Sequence, residues 1–193
     1  MALPSYDILA RVALATLGIS VPTVVDGVRR TVSARTCDQR LDRWSRQILR
    51  QVRVDLDVRG LEGIDRSRTY VIMSNHQSYY DIPVLFQALH LPMRMVAKAE
   101  LFRIPIWGQA MRDAGFIPVD RSKGREALQR LFEARDRLER DGTHLWIAPE
   151  GTRSLDGRLL PFKRGGFQLA MVTGLPILPV TLDGTIDIHR SGS

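Results

Sequence analysis

The sequence predicts an α/β domain built around a mixed, largely parallel sheet flanked by helices. Two observations predict it. Short apolar runs of strand length recur along the chain, and amphipathic stretches of helical period alternate with them. At 193 residues the chain is long enough to bury one substantial core. No internal repeat, low-complexity tract or linker interrupts it.

The first part of the chain follows a different pattern. Residues 12–25 are an uncharged, largely apolar run broken by Gly18 and Pro22 and followed by Arg29 and Arg30. A transmembrane helix takes roughly 20 apolar residues, and extending this run backwards meets Arg11 and then Asp7. No small-x-small cleavage site follows it, so a signal peptide is disfavoured. The expectation is a segment that lies in the membrane interface or inserts shallowly. Behind it, Leu41, Trp44, Ile48 and Leu49 fall at helical spacing, while Arg40, Arg43, Arg46 and Arg50 fill the other turns. Such a helix either buries its apolar face among lipid headgroups, each arginine contributing about 1 kcal/mol at an anionic surface, or packs on the domain core. Residues 1–51 are therefore expected to be N-terminal membrane-associating helices, and residues 52–193 the globular domain.

Within that domain, Val52, Val54, Leu56 and Val58 alternate with Arg53, Asp55 and Asp57 and end at Gly60, the pattern of an exposed or edge strand. Buried strands are expected at Tyr70–Met73, Met93–Ala97, Phe116–Val119, Leu145–Ala148 and Ile177–Leu182. Helices are expected from Arg125 to Arg140, where Leu128, Leu131, Phe132 and Leu138 form a stripe closed by Gly142, from Pro83 to Leu89, and from Gly166 to Val172.

Charge narrows the partners. The net charge is +7, with 28 basic against 21 acidic residues, and lysine occurs only at Lys98, Lys123 and Lys163. Nucleic acid, an anionic membrane and a phosphorylated small substrate all reward such a balance. No aromatic-interleaved basic stripe or reader motif supports nucleic acid. The single cysteine, Cys37, rules out an internal disulfide, CxxC redox chemistry and a cysteine zinc site. No metal-ligand spacing, Walker loop or dinucleotide GxGxxG occurs, so neither a metal nor a bound cofactor is expected.

Loops leaving strand ends are where α/β domains place their chemistry. After the first buried run comes Ser74-Asn75-His76-Gln77-Ser78-Tyr79-Tyr80-Asp81, and after the fourth comes Pro149-Glu150-Gly151-Thr152-Arg153-Ser154. On one continuous helix His76 and Asp81 would point about 140° apart, so a turn must intervene. Asp81 can then reach back to one imidazole nitrogen and leave the other as an acceptor, which makes a general base with its orienter. A hydrogen-bonded structural histidine is the plainer alternative. Ser78 reads as a helix N-cap more readily than as a nucleophile. In the second loop Gly151 lets backbone approach a ligand, Arg153 offers a fork matched to phosphate, and Glu150 can hold that fork. The plainer reading there is a turn with a surface ion pair.

Four blocks in order resemble the glycerolipid acyltransferases that make phosphatidic acid from 1-acylglycerol 3-phosphate, over roughly Val71 to Thr181. They are Asn75-His76 with Asp81, Gly115-Phe116-Ile117-Pro118-Val119-Asp120-Arg121, Pro149 to Ser154, and Leu178-Pro179-Val180. Lys98-Ala99-Glu100-Leu101, Ile104-Pro105 and Phe162-Lys163-Arg164-Gly165 add smaller similarities. The resemblance implies a glycerol-3-phosphate acyltransferase-like fold and an enzyme on the cytoplasmic face of a membrane. It implies that His76, with Asp81, deprotonates the acceptor hydroxyl for direct attack on a thioester. It also implies that Arg121 and Arg153 hold the phosphate, with Glu150, Gly151, Thr152 and Lys163 completing the site. The donor is expected to be acyl-CoA or acyl carrier protein, and the acceptor a lysophospholipid. Another lysolipid or glycerol 3-phosphate would use the same residues, and a non-catalytic anionic-lipid binder is the alternative from another class. Two departures are visible. Ala148 stands where a large hydrophobic residue is usual, and related chains commonly continue through another strand and helix, so a short member or a chain lacking a C-terminal portion is expected.

Overall fold

The computed structural model describes residues 6–119 and 124–188. Seven α-helices and five strands appear among them, besides two short 3-10 turns: α1 (Tyr6–Val28), α2 (Ala34–Gln51), β1 (Val71–Ser74), α3 (Asp81–Leu89), β2 (Met93–Lys98), α4 (Trp107–Asp113), β3 (Ile117–Val119), α5 (Gly124–Arg140), β4 (His144–Ile147), α6 (Arg164–Thr173), β5 (Ile177–Val180) and α7 (Thr185–Ile188). The strands form one sheet in the order β3-β2-β4-β1-β5. Every pairing in it is parallel, so the mixed alternative is not realised.

The sheet is covered on both faces, which is why its strands read as continuous apolar runs. Alternate residues serve opposite cores. Ile72 and Trp146 join Leu41 and Leu49 of α2, Val84, Leu85 and Phe86 of α3, and Met111 of α4 in one cluster. Val71, Met73 and Leu145 join Leu138 of α5 and Leu169 of α6 in the other. Val71, Ile72 and Leu169 are wholly shielded from solvent, each side chain contributing about 1.5–3 kcal/mol by leaving water.

All five expected strands and the three expected helices are present, but β5 is not buried as expected, since Ile177 is 38% exposed. The closing turn of α5 follows its glycine: Gly142 has φ 60°, and the Thr143 N–H reaches back to the Leu138 carbonyl at 2.8 Å. Leu138 is buried, but Phe132 is 49% exposed and stands outside the stripe proposed for it; the side chains of Leu128 and Leu131 lie outside the described ones.

One expectation is corrected and one element is added. Residues 52–58 form no strand: Arg53 turns the chain at φ 53°, and the alternation arises because Val54 and Leu56 rest on the core without a pairing partner. Helix α4 was not expected, since Pro105 and Gly108 punctuate its start. The chain enters it through a tight turn at Ile106 (φ 63°), and Gly108 lies so close to the Phe102 carbonyl that a Cβ would meet its oxygen at 2.3 Å. Of the two readings of α2, the packed one is realised: Leu41, Ile48 and Leu49 are all buried.

The N-terminal helix is also longer than residues 12–25. It runs for 23 residues through Gly18 and Pro22. On its protein side Thr16, Ser20 and Thr23 donate their hydroxyls to the carbonyls four residues back, at 2.8, 2.7 and 2.7 Å, and so satisfy themselves. Helix α2 is tied to it by Arg40, which binds Asp26 at 2.6 Å, and by Trp44, whose indole N–H binds the Thr16 hydroxyl at 3.1 Å. Buried Arg94 of β2 ties α2 to the sheet in turn, binding Asp38 at 2.6 Å. Helices α1 and α2 thus pack on the body of the domain.

Candidate active site

The strand order explains why two loops distant in sequence meet. Strands β1 and β4 are neighbours, with Met73 opposite Ile147, so the segments leaving their carboxyl ends emerge side by side. One carries Asn75 to Asp81 and the other Pro149 to Ser154.

His76 is held from four directions. Its backbone N–H donates to Glu150 Oε1 at 2.9 Å, and its carbonyl accepts the Ser154 N–H at 2.8 Å. Its ring stands edge-on to Trp146, centroid to centroid 5.4 Å, and the Trp146 indole N–H is itself anchored on the Ser74 hydroxyl at 2.9 Å. The ring's Nδ1 lies 2.6 Å from Asp81 Oδ2. A carboxylate only accepts, so Nδ1 carries the proton and Nε2 presents a lone pair. Nε2 has no hydrogen-bond partner among the described residues, and the side chain keeps 16% of its surface.

Asp81 begins α3 and is wholly buried. Its Oδ2 also accepts the backbone N–H groups of Gln77 and Ser78, at 2.7 and 2.9 Å. Those donors fold the loop into the turn that the five-residue spacing required. Ser78 is buried, and its hydroxyl accepts the Tyr80 N–H at 3.3 Å within that turn. It is a turn residue rather than the N-cap expected for α3, and it is not exposed for nucleophilic attack.

Glu150 differs from its expected role. Its carboxylate does not reach Arg153: Oε1 takes the His76 amide, Oε2 takes the Leu160 amide at 2.7 Å, and the residue is 1% exposed. It acts as a clamp between three backbone segments. Arg153 instead lies over the ring of Tyr79, its guanidinium carbon 3.6 Å from the centroid. Gly151 adopts φ 69°, and a Cβ there would meet the Lys163 side chain at 2.9 Å, so the glycine lets the Lys163 stem lie across the loop. Thr152 is exposed between them. Arg121 lies outside the described residues.

Asn75 is a contributor that sequence reasoning passed over. It exchanges two hydrogen bonds with the backbone of Leu182, each 2.8 Å, which locks the segment after β5 against the catalytic loop. Gln77 adds a third to the Leu182 carbonyl at 3.1 Å. Beside these residues a cavity of about 570 Å³ opens, walled by Leu159, Phe162, Phe167, Pro179 and Val180. Asn75, Gln77 and Glu150, which flank or clamp the base, line this cavity; His76, Arg153 and Lys163 do not. An oriented base beside the cations of the neighbouring loop suits proton removal from a hydroxyl on an anionic molecule.

The family model for acyltransferases matches residues 55–183. A chloroplastic 1-acyl-sn-glycerol-3-phosphate acyltransferase of Brassica napus is 42% identical over 141 residues, covering 71% of this chain and 40% of that protein. The 1-acyl-sn-glycerol-3-phosphate acyltransferase alpha of Homo sapiens is 35% identical over 136 residues, 70% of this chain and 48% of that protein. The chain therefore spans less than half the length of these curated relatives. The crystal structure of the 1-acyl-sn-glycerophosphate (LPA) acyltransferase from Thermotoga maritima superposes with a TM-score of 0.70 at 24% identity, over 99% of this chain and 81% of that one. At that identity the likeness establishes the fold.

Proposed function

The chain belongs to the acyltransferase family, and from that membership we propose that it transfers a fatty acyl group from a thioester donor, acyl-CoA or acyl carrier protein, to the sn-2 hydroxyl of 1-acylglycerol 3-phosphate, making phosphatidic acid. The observation that carries this reading is the His76–Asp81 pair, with Nε2 unengaged and Arg153 one residue from the Ser154 amide that holds His76.

His76 Nε2 takes the proton of the acceptor hydroxyl as its oxygen attacks the thioester carbonyl. The C–O bond forms, the C–S bond breaks, and the imidazolium returns the proton to the departing thiolate. Asp81 fixes the tautomer throughout and stabilises the imidazolium. No acyl-enzyme is required, consistent with the burial of Ser78. Arg153 and Lys163 bind the phosphate monoester, with Arg121 and Thr152 assigned to the same anion site. Gly151 supplies the room, and Glu150 holds the two loops together. The apolar hollow beside Asn75 takes hydrocarbon.

The protein works at a membrane, on its cytoplasmic face. Leu14, Leu17, Val21, Val25 and Val28 form one exposed apolar stripe along α1, whose opposite face rests on protein. Residues 8–28 are also long and apolar enough to cross a bilayer by length and composition. The packing of α1 along the domain favours a helix lying in the interface.

The test offers labelled acyl-CoA and acyl carrier protein in turn, in detergent or liposomes, to lysophosphatidic acid, other lysophospholipids and glycerol 3-phosphate. Transfer preferring lysophosphatidic acid supports the proposal. Transfer confined to another acceptor would replace the substrate, and silence with every pair would leave a lipid-binding role.

A further inference from the structure

Among the described residues no carboxylate holds Arg153. Its guanidinium carbon lies 3.6 Å from the centre of the Tyr79 ring, inside the distance at which a cation is attracted to an aromatic face. Its Nη1 is buried and has no hydrogen-bond partner among the described residues. The acid expected to hold this arginine, Glu150, is occupied on both oxygens by the amides of His76 and Leu160.

The chemical consequence is specific. An arginine held by a carboxylate spends in-plane N–H groups on that partner and has its charge compensated. An arginine held by a ring face is fixed in its plane while those N–H groups stay available, and its full charge is retained. A buried donor without an acceptor is costly until a ligand supplies one. Tyr79 lies in the catalytic loop, between Ser78, whose amide binds Asp81, and Tyr80, so the same turn that orients the base also places the ring.

We propose that Tyr79 is a positioning residue for the acceptor: its ring face holds Arg153 with a buried, unspent N–H directed to the phosphate, so that the anion site and the His76 base are registered by one loop. This rests on the reading of Arg153 as the phosphate-binding arginine. The specificity consequence is a preference for a phosphate monoester over a neutral acceptor, since only an anion satisfies both the charge and the orphan donor.

The experiment measures kcat and KM for lysophosphatidic acid in the native protein and in Tyr79→Leu, Tyr79→Phe and Arg153→Ala, with thermal unfolding as a check that each folds. Tyr79 is 59% exposed, so its replacement leaves the core intact. Tyr79→Leu is expected to raise KM about 3- to 30-fold, the range a cation–π contact spans, with kcat changed less than about threefold. Tyr79→Phe keeps the ring face and restores the native KM. An unchanged KM in Tyr79→Leu while Arg153→Ala raises it overturns the proposal but leaves the phosphate site standing. Failure of Tyr79→Phe to restore KM also overturns it, by assigning the effect to the hydroxyl. An unchanged KM in Arg153→Ala removes the phosphate reading itself, and the proposal with it.

Discussion

Glu150 and His76, 74 residues apart, are joined by a single short contact in which a buried carboxylate oxygen accepts the histidine's backbone N–H at 2.9 Å. The other oxygen takes the Leu160 amide. The glutamate of the Pro-Glu-Gly loop thus works on the position of the base, and its effect on acyl transfer is indirect.

Glu150→Gln tests that relation. The amide retains one acceptor oxygen but turns an NH2 group toward a backbone N–H, leaving two donors opposed in a buried site. The variant is expected to lose about 1–3 kcal/mol of stability and at least about tenfold in kcat. Chemical denaturation and steady-state kinetics check it. Unaltered kinetics would mean that the clamp does not set the position of His76.

Asp81→Asn separates orientation from charge. The side chain keeps its shape and one oxygen, which can still accept the Gln77, Ser78 and His76 Nδ1 hydrogens, but its neutral amide does not stabilise an imidazolium. Transfer is expected to fall about 10²- to 10⁴-fold with the unfolding temperature little changed. A loss smaller than about fivefold would show that His76 needs no carboxylate partner.

Much of this architecture is legible along the chain, and where legibility stops has physical causes. Strands buried on both faces betray themselves as apolar runs, and His76 and Asp81 are close enough in sequence for a turn to join them. Residues 52–58 mislead because alternation records one buried side, not a pairing partner. The contacts made by Trp146, Asn75 and Glu150 carry no local signal, since each acts on a segment that only the parallel strand order brings near. Periodicity alone left the fate of the α2 stripe open: α2 turns it to the core, while α1 leaves its own exposed.

That exposed stripe gives a prediction for membrane binding. Leu17→Glu with Val21→Glu places two charges in the middle of the apolar face of α1 without touching the site. Binding to anionic liposomes is expected to weaken about tenfold or more, because each buried side chain of this size is worth about 1.5–3 kcal/mol. Co-sedimentation checks it, and undiminished binding would move the membrane contact elsewhere.

His144 makes stability depend on pH. It is buried at the start of β4, stacked on Tyr70 with its Nδ1 accepting the Tyr70 N–H at 3.2 Å. Burial first, and the charge of Arg66 second, lower its pKa from 6.5 to about 4. As pH falls below about 6.5 the unfolded chain takes up a proton that the folded protein refuses, so stability present above that pH is lost down to about pH 4, by roughly 3 kcal/mol. Urea unfolding at pH 7 and pH 4.5 is expected to show a smaller difference in His144→Asn than in the native protein. An equal difference in both would assign the acid sensitivity to other groups.

The most direct measurement is acyl transfer to lysophosphatidic acid by the native protein and by His76→Ala, with the product identified by mass. Formation of phosphatidic acid by the native protein, and its loss by about 10² or more in a variant that still folds and binds liposomes, is the expected result. Phosphatidic acid formed at a comparable rate by His76→Ala would contradict the assignment of His76 as the base.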